Sequence, residues 1–255
     1  MGKLLAGVSR KDITPDDEML AVLRKDGKYV YEGIHNRIYV KVLILTDGEK
    51  RFVYICNDFS YFTLNDDVRK ALSELNIDLK DCFFSGTRCH NCVSGWQDMP
   101  FDEMPEGHKL YGKMYLKQLV AAINEAMDKL VPARIGATVV DSWINTFREQ
   151  YTEIGNFESM NHNGPRAPWL RVVRVEDTEG RTLCVLANYC MQNCSLYWNT
   201  HYGEFHLLSS DVAGQIIDYV ECAGKHEFPL FWSNGGGQDQ QAVTYSLMDK
   251  MEVND

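Results

Sequence analysis

Cys89-His90-Asn91-Cys92 places three side chains able to ligate a soft metal within four residues, and Cys190 and Cys194 add two more. Thiolate sulfur and imidazole nitrogen are the donors that zinc takes, so a metal centre is one chemistry this pattern offers. No second Cys-x-x-Cys occurs, and the step from Cys190 to Cys194 is looser than a usual metal hook. Buried, unliganded thiols are the simpler reading of the eight cysteines, and a disulfide frame is not expected.

His90 also offers acid–base chemistry, as base or ligand, with Asp211 and Asp239 as orienting carboxylates. Asp239 closes the polar string Ser233-Asn234-Gly235-Gly236-Gly237-Gln238-Asp239, where Asn234 and Gln238 are candidate ligand contacts. The triple glycine lets a backbone come close to a ligand or to another strand. With no Lys after it, packing or a tight turn is the expectation. Gly107 through Gly112-Lys113 matches a phosphate loop by letter, but Met114 stands where Ser or Thr should follow, so it reads as chance. Neither a Gly-x-Ser-x-Gly elbow nor a His-Glu-x-x-His pair occurs. The aromatic stretch Tyr197-Trp198-Asn199-Thr200-His201-Tyr202 suits a core, or a cover over an apolar or sugar ligand.

These residues sit in a chain of 255 residues with 36 acids against 26 bases, a formal charge of −10. With 45% hydrophobic and 24% charged residues, the composition is that of a folded globular protein and excludes disorder, collagen and coiled coil. Acids are interspersed among the basic residues, which argues against a nucleic-acid partner. No stretch approaches the roughly 18 apolar residues of a membrane-spanning helix. Met1 to Val8 is too short and too soon polar for a signal peptide, so a cytoplasmic location and a small-molecule partner are expected.

The elements that must position these groups follow from periodicity. Residues 37–45 and 51–56 are rich in β-branched residues and flank a turn, which predicts a hairpin. A helix follows over 65–75, capped by Asn65 or Asp66, then a strand over 82–86 that runs into the string Thr87 to Cys92. The same order returns as strands 169–175 and 181–188, a helix over 210–221, and a strand over 228–232 running into Ser233 to Asp239. Between the copies, Leu116, Leu119, Val120, Ile123, Met127 and Leu130 predict a helix closed by Pro132, with a strand over 134–140. Stretches 91–114, 148–168 and 196–206 read as long irregular segments. The expectation is one α/β domain over residues 1–255, with mixed sheets flanked by helices and an internal duplication of a hairpin-helix-strand unit. If the duplication holds, loops 88–93 and 234–239 face a common cleft.

The order of motifs resembles the amino-terminal catalytic domain of the neutral/alkaline, non-lysosomal ceramidases. The likeness is carried by Ala6-Gly7-Val8-Ser9-Arg10-Lys11-Asp12-Ile13-Thr14-Pro15, by Gly33-Ile34-His35-Asn36-Arg37, by Asn57-Asp58, by Pro132-Ala133-Arg134-Ile135-Gly136 and by Leu208-Ser209-Ser210-Asp211-Val212-Ala213-Gly214. It runs from about residue 6 to 242. Members of that family hydrolyse the amide of ceramide with a zinc-bound water, the metal acting as a Lewis acid. Their Thr-His-Thr-His loop, whose first histidine holds zinc and whose second contacts substrate, reads Thr87-Arg88-Cys89-His90 here. A second zinc histidine falls at Gln192, and the third signature reads Gln238-Asp239-Gln240-Gln241-Ala242. The family's acidic and tyrosine zinc ligands belong to a later part of its domain.

Two functions follow from the resemblance. One is an amide hydrolase of an N-acyl substrate, with His90, Asp211 and Asp239 as its machinery and the cysteines as replacement metal ligands. The other is an inactive relative without zinc that binds a small anionic or amphiphilic ligand through Arg88, Gln192, Asn234 and Gln238. Arginine favours the second, because its guanidinium stays protonated and has no lone pair for a metal. Arg88 is expected to pair with Asp211 or Asp239, or to hold an anion, beside His90 and Gln192.

Overall fold

The computed structural model describes residues 4–26, 31–60, 64–93, 99–196, 207–225, 227–237 and 239–242. A first unit comprises strand β1 (Leu5–Asp12), helix α1 (Asp17–Lys25), the short β2 (Gly33–Ile34), the hairpin β3 (Tyr39–Thr46) and β4 (Arg51–Asn57), helix α2 (Asp66–Glu74) and β5 (Cys82–Gly86). Helix α3 (Glu106–Asp128) leads to the second unit of β6 (Val131–Asp141), β7 (Asn145–Thr152), β8 (Gly155–Asn161), β9 (Trp169–Asp177) and β10 (Thr182–Tyr189). It is completed by β11 (Leu207–Leu208), helix α4 (Asp211–Ala223), β12 (Leu230–Asn234) and β13 (Gln240–Ala242).

Eight strands join in the order β12-β10-β9-β6-β1-β3-β4-β5, so the architecture is mixed α/β. Each unit repeats one pairing scheme. β1 is antiparallel to β3, β3 to β4, and β4 is parallel to β5; β6 is antiparallel to β9, β9 to β10, and β10 is parallel to β12. Among the described residues, the units pair edge to edge at Leu5↔Pro132 and Ala6↔Val131. Beyond those two pairs the halves separate and face one another.

Alternation along the strands builds the layers. Val40, Val42, Ile44, Val53 and Ile55 turn to one side and pack with Leu20 and Leu23 of α1, Val68 and Leu72 of α2, and Tyr111, Leu119 and Ile123 of α3. Leu43, Tyr54 and Cys56 turn the other way and meet Val175, Cys184 and Phe231 of the second unit. There the Tyr54 and Phe231 rings stack with centroids 5.5 Å apart, and Lys41 Nζ donates to the Leu230 carbonyl at 2.7 Å. Leu230 and Trp232, on either side of Phe231, face Ala213 and Ile217 of α4. With both faces covered, these strands read as the continuous apolar runs seen in the sequence.

The predicted hairpins, helices and strands are present, and Asn65 is the cap of α2, its side chain accepting from Val68 N at 3.0 Å. Two segments expected to be irregular are not. α3 begins at Glu106, ten residues before the aliphatic stripe. Its first turns bury Gly107, His108, Tyr111 and Gly112 instead. A Cβ on Gly107 would lie 2.7 Å from Leu23 Cα, and one on Gly112 would lie 2.4 Å from the Phe101 ring. The missing side chains are the packing device, and aliphatic periodicity cannot register it. The letter pattern from Gly107 to Lys113 is thus helix interior and forms no phosphate loop. Residues 148–168 contain most of the antiparallel pair β7–β8, whose outer face is exposed and whose inner edge is paired by β13. No helix among the described residues is long and apolar enough to cross a membrane.

Candidate functional site

The carboxyl ends of β5, β10 and β12 open at one end of the two facing sheets, the usual position for a site in α/β proteins. After β5, Thr87 is fully buried and its N–H donates to the Asn57 carbonyl at 2.9 Å. Arg88 then takes φ 55°, the left-handed region that costs a side-chain-bearing residue about 1–2 kcal/mol. Cys89 bridges Asn193, and His90 N–H donates to the Asn193 carbonyl at 3.1 Å. After β10, Gln192 bridges Gln241, and its N–H donates to the Gln240 carbonyl at 2.8 Å. After β12, Gly235 N–H donates to the Tyr189 carbonyl at 2.7 Å, and Gly237 N–H turns back onto Gly235 at 2.8 Å. A Cβ would stand 2.8 Å from Cys190 Sγ at Gly235 and 2.6 Å from Met191 N at Gly237. Packing and a tight turn account for both glycines.

These segments border a cleft of about 440 Å³ lined by Arg88, Arg148, Glu149, Asn234, Asp239 and the glycine turn 235–237. Arg88 of the first loop and residues 234–237 with Asp239 of the second therefore line one cleft. Arg148 and Glu149 come from β7, inside a stretch whose polar sequence gives no strand signal. Arg148 N–H donates to the Asp239 carbonyl at 2.9 Å, and its guanidinium pairs with Glu158. Tertiary pairing alone brings Arg148 to the site.

His90 and Gln192 meet behind this wall, with His90 Nε2 2.8 Å from Gln192 Nε2. Burial first, and then the positive charges of Arg88 and Arg148, hold the imidazole down to about 4, so His90 is neutral at pH 7. Asp211 stands elsewhere. It is fully buried at the start of α4 with φ 56°, and its carboxylate accepts from Leu196 N at 3.0 Å and Val212 N at 2.6 Å. Its own N–H donates to Ser209 Oγ, which donates in turn to Asn36 Oδ1 at 2.6 Å. That network joins the Gly33–Arg37 and Leu208–Gly214 segments, which explains why both motifs occur. Gln238 and the aromatic stretch 197–202 lie outside the described residues.

The cysteines near the site are packed thiols. Cys89 Sγ donates to the Ser209 carbonyl at 2.8 Å and Cys92 Sγ to the Cys89 carbonyl at 3.0 Å, and burial pushes the Cys89 thiol well up. Among the described residues, no three His, Cys, Asp or Glu side chains stand close enough to share a metal. Arg88 and Gln192 do not fit the zinc that the ceramidase resemblance implies. The first is a fixed cation without a lone pair, and the amide of the second donates to His90.

The structure superposes on the crystal structure of neutral ceramidase from Pseudomonas aeruginosa with a TM-score of 0.72 over 96% of this chain. The fold is ceramidase-like. Identity to that protein is 15%, and a ceramidase complexed with C2 matches 95% of the chain at 16% identity and a TM-score of 0.68. The chain spans 40% and 39% of those two proteins, about two fifths of their length. No family model matches the sequence. Likeness at this identity is one of fold, and the chemistry has to be argued from the ceramidase-like cleft itself.

Proposed function

We propose that the chain is a ceramidase-like binding protein without zinc that holds a small anionic ligand between Arg88 and Arg148. The observation that carries this is the presence of both guanidinium groups on one cleft, with Arg88 at a position the family uses for a zinc histidine. A guanidinium presents a planar fork of donors that suits a carboxylate or phosphate. Neutral His90 and Gln192 add polar contacts behind it. The hydrolase reading keeps only Asp239 of its two orienting carboxylates on the cleft, since the Asp211 carboxylate accepts from backbone N–H groups at the start of α4.

Titration calorimetry with acetate and with inorganic phosphate tests the proposal. Arg88→Gly is the informative variant, since glycine relieves the φ of 55° while removing the cation. The expected result is anion binding by the wild type that the variant loses without losing stability. Equal anion affinity in both proteins, or no binding by the wild type of acetate, phosphate or any other small carboxylate, overturns the reading.

A further inference from the structure

The cleft is not simply basic. Two guanidinium groups, Arg88 and Arg148, share it with two carboxylates, Glu149 and Asp239. A bare anion entering between the arginines would add a negative charge beside Glu149 and Asp239, with Glu158 already paired to Arg148. We propose that the ligand is a zwitterion of the α-amino acid class, its carboxylate held by Arg88 and Arg148 and its ammonium by Asp239 and Glu149. This deepens the reading of the cleft as an anion site and rests on it.

The acids are free for this role. Asp239 is exposed and pairs with no cation among the described residues. Glu149 accepts from Asn156 through Oε2 at 2.7 Å, leaving Oε1. On the basic side, Glu158 engages Arg148 Nη1, and Arg148 Nε is buried without a hydrogen-bond partner. The polar atoms of the cleft itself are thus of both kinds, donors on the arginines and acceptors on Glu149 and Asp239, which a ligand carrying both kinds satisfies. Neutral His90 adds no further positive charge at pH 7. A volume of about 440 Å³ lies within the roughly 300–1,000 Å³ of small-ligand sites and leaves room for a side chain.

The test screens the twenty standard α-amino acids by thermal shift at fixed ionic strength. Calorimetry then compares the best one with its N-acetyl derivative, its α-amide and acetate. The expected result is one or more amino acids that bind, with N-acetylation or amidation each weakening binding about tenfold or more, the value of one lost charge-assisted hydrogen bond. Asp239→Asn should narrow the gap between the free and N-acetylated ligand. Acetate or the N-acetyl derivative binding as tightly as the amino acid overturns the zwitterion and leaves the anion site standing. An unchanged gap in Asp239→Asn overturns it equally. If no amino acid, acetate or phosphate binds, both readings fall.

Discussion

His90 accepts a hydrogen bond from Gln192, whose amide Nε2 lies 2.8 Å from the imidazole Nε2. An amide nitrogen only donates, so the imidazole proton must sit on Nδ1, and protonation of Nε2 would set two donors against each other.

Burial, with the charges of Arg88 and Arg148 behind it, should hold the ring near 4 in the folded protein against about 6.5 in the unfolded chain. Between those values the unfolded state binds a proton that the folded state refuses. This contribution to stability is intact above about pH 6.5 and is lost as pH falls toward 4. Imidazole NMR should report the low midpoint, and His90→Gln should flatten the acid side of the stability profile. A midpoint near 6.5 would show that the ring is neither buried nor close to the two arginines.

Zinc is not expected between Arg88 and Gln192. Metal analysis of protein equilibrated with zinc should show no tight equivalent that Arg88→Ala or Gln192→Ala alters. Tetrahedral density bridging these two residues in a zinc-grown crystal would refute the assignment, whereas density at Cys89, His90 and Cys92 would favour the replaced-ligand hydrolase.

The glycines of the turn after β12 should differ sharply in tolerance. Gly237→Ala forces a Cβ to within 2.6 Å of Met191 N and should cost about 1–3 kcal/mol while distorting the cleft. Gly236→Ala meets nothing within 4 Å and should be nearly neutral. Urea unfolding of the two variants compares them directly, and equal losses would contradict the packing role.

Asp26 ties the end of α1 to the start of α3, its Oδ2 lying 2.7 Å from His108 Nδ1 and also accepting from His108 N at 2.9 Å. Burial alone would raise its carboxyl, but the His108 and Gly107 hydrogen bonds outweigh it and hold the value below the usual carboxylate range. Asp26→Ala should cost about 1–3 kcal/mol at pH 7. Because the folded value is depressed, the wild type keeps this advantage above about pH 4 and loses it as pH falls further. A deficit that stays constant down to pH 2 would exclude these hydrogen bonds to the carboxylate.

Glu221 anchors the second unit to the first. It is 1% exposed, takes Leu230 N at 2.8 Å, pairs with Arg10 and lies 3.7 Å from the buried Lys41 ammonium. Glu221→Ala leaves that ammonium only Asp58 and the Leu230 carbonyl, unpairs Arg10, and should cost about 3–5 kcal/mol. Lys41→Met should cost less, since Arg10 still balances Glu221. The reverse order in chemical denaturation would show that Lys41 is neutralised elsewhere.

What the sequence determined by itself was the local part of the protein. Residues 37–56 and 169–188 form hairpins because β-branched runs flank short turns, and α2 starts at Asn65 because its side chain can cap the helix without help. The repeated order of elements and the motifs marking Arg88, His90 and Gln192 were legible for the same reason: each lies within one short stretch. Only the tertiary structure decided what those stretches meet. Arg148 and Glu149 reach the cleft because β13 pairs with β7 across about ninety residues, a contact that leaves no periodic trace in a polar strand. Asp211, a candidate orienting carboxylate in its motif, accepts from the N–H groups of Leu196 and Val212 at the start of α4, a pairing that no local pattern shows. α3 gains its first turns from glycines that admit Leu23 and the Phe101 ring, and the partner there, rather than the glycine, supplies the apolar surface. Period and propensity are read along the chain, whereas charge balance and pairing in this cleft are sums over groups that folding alone brings together.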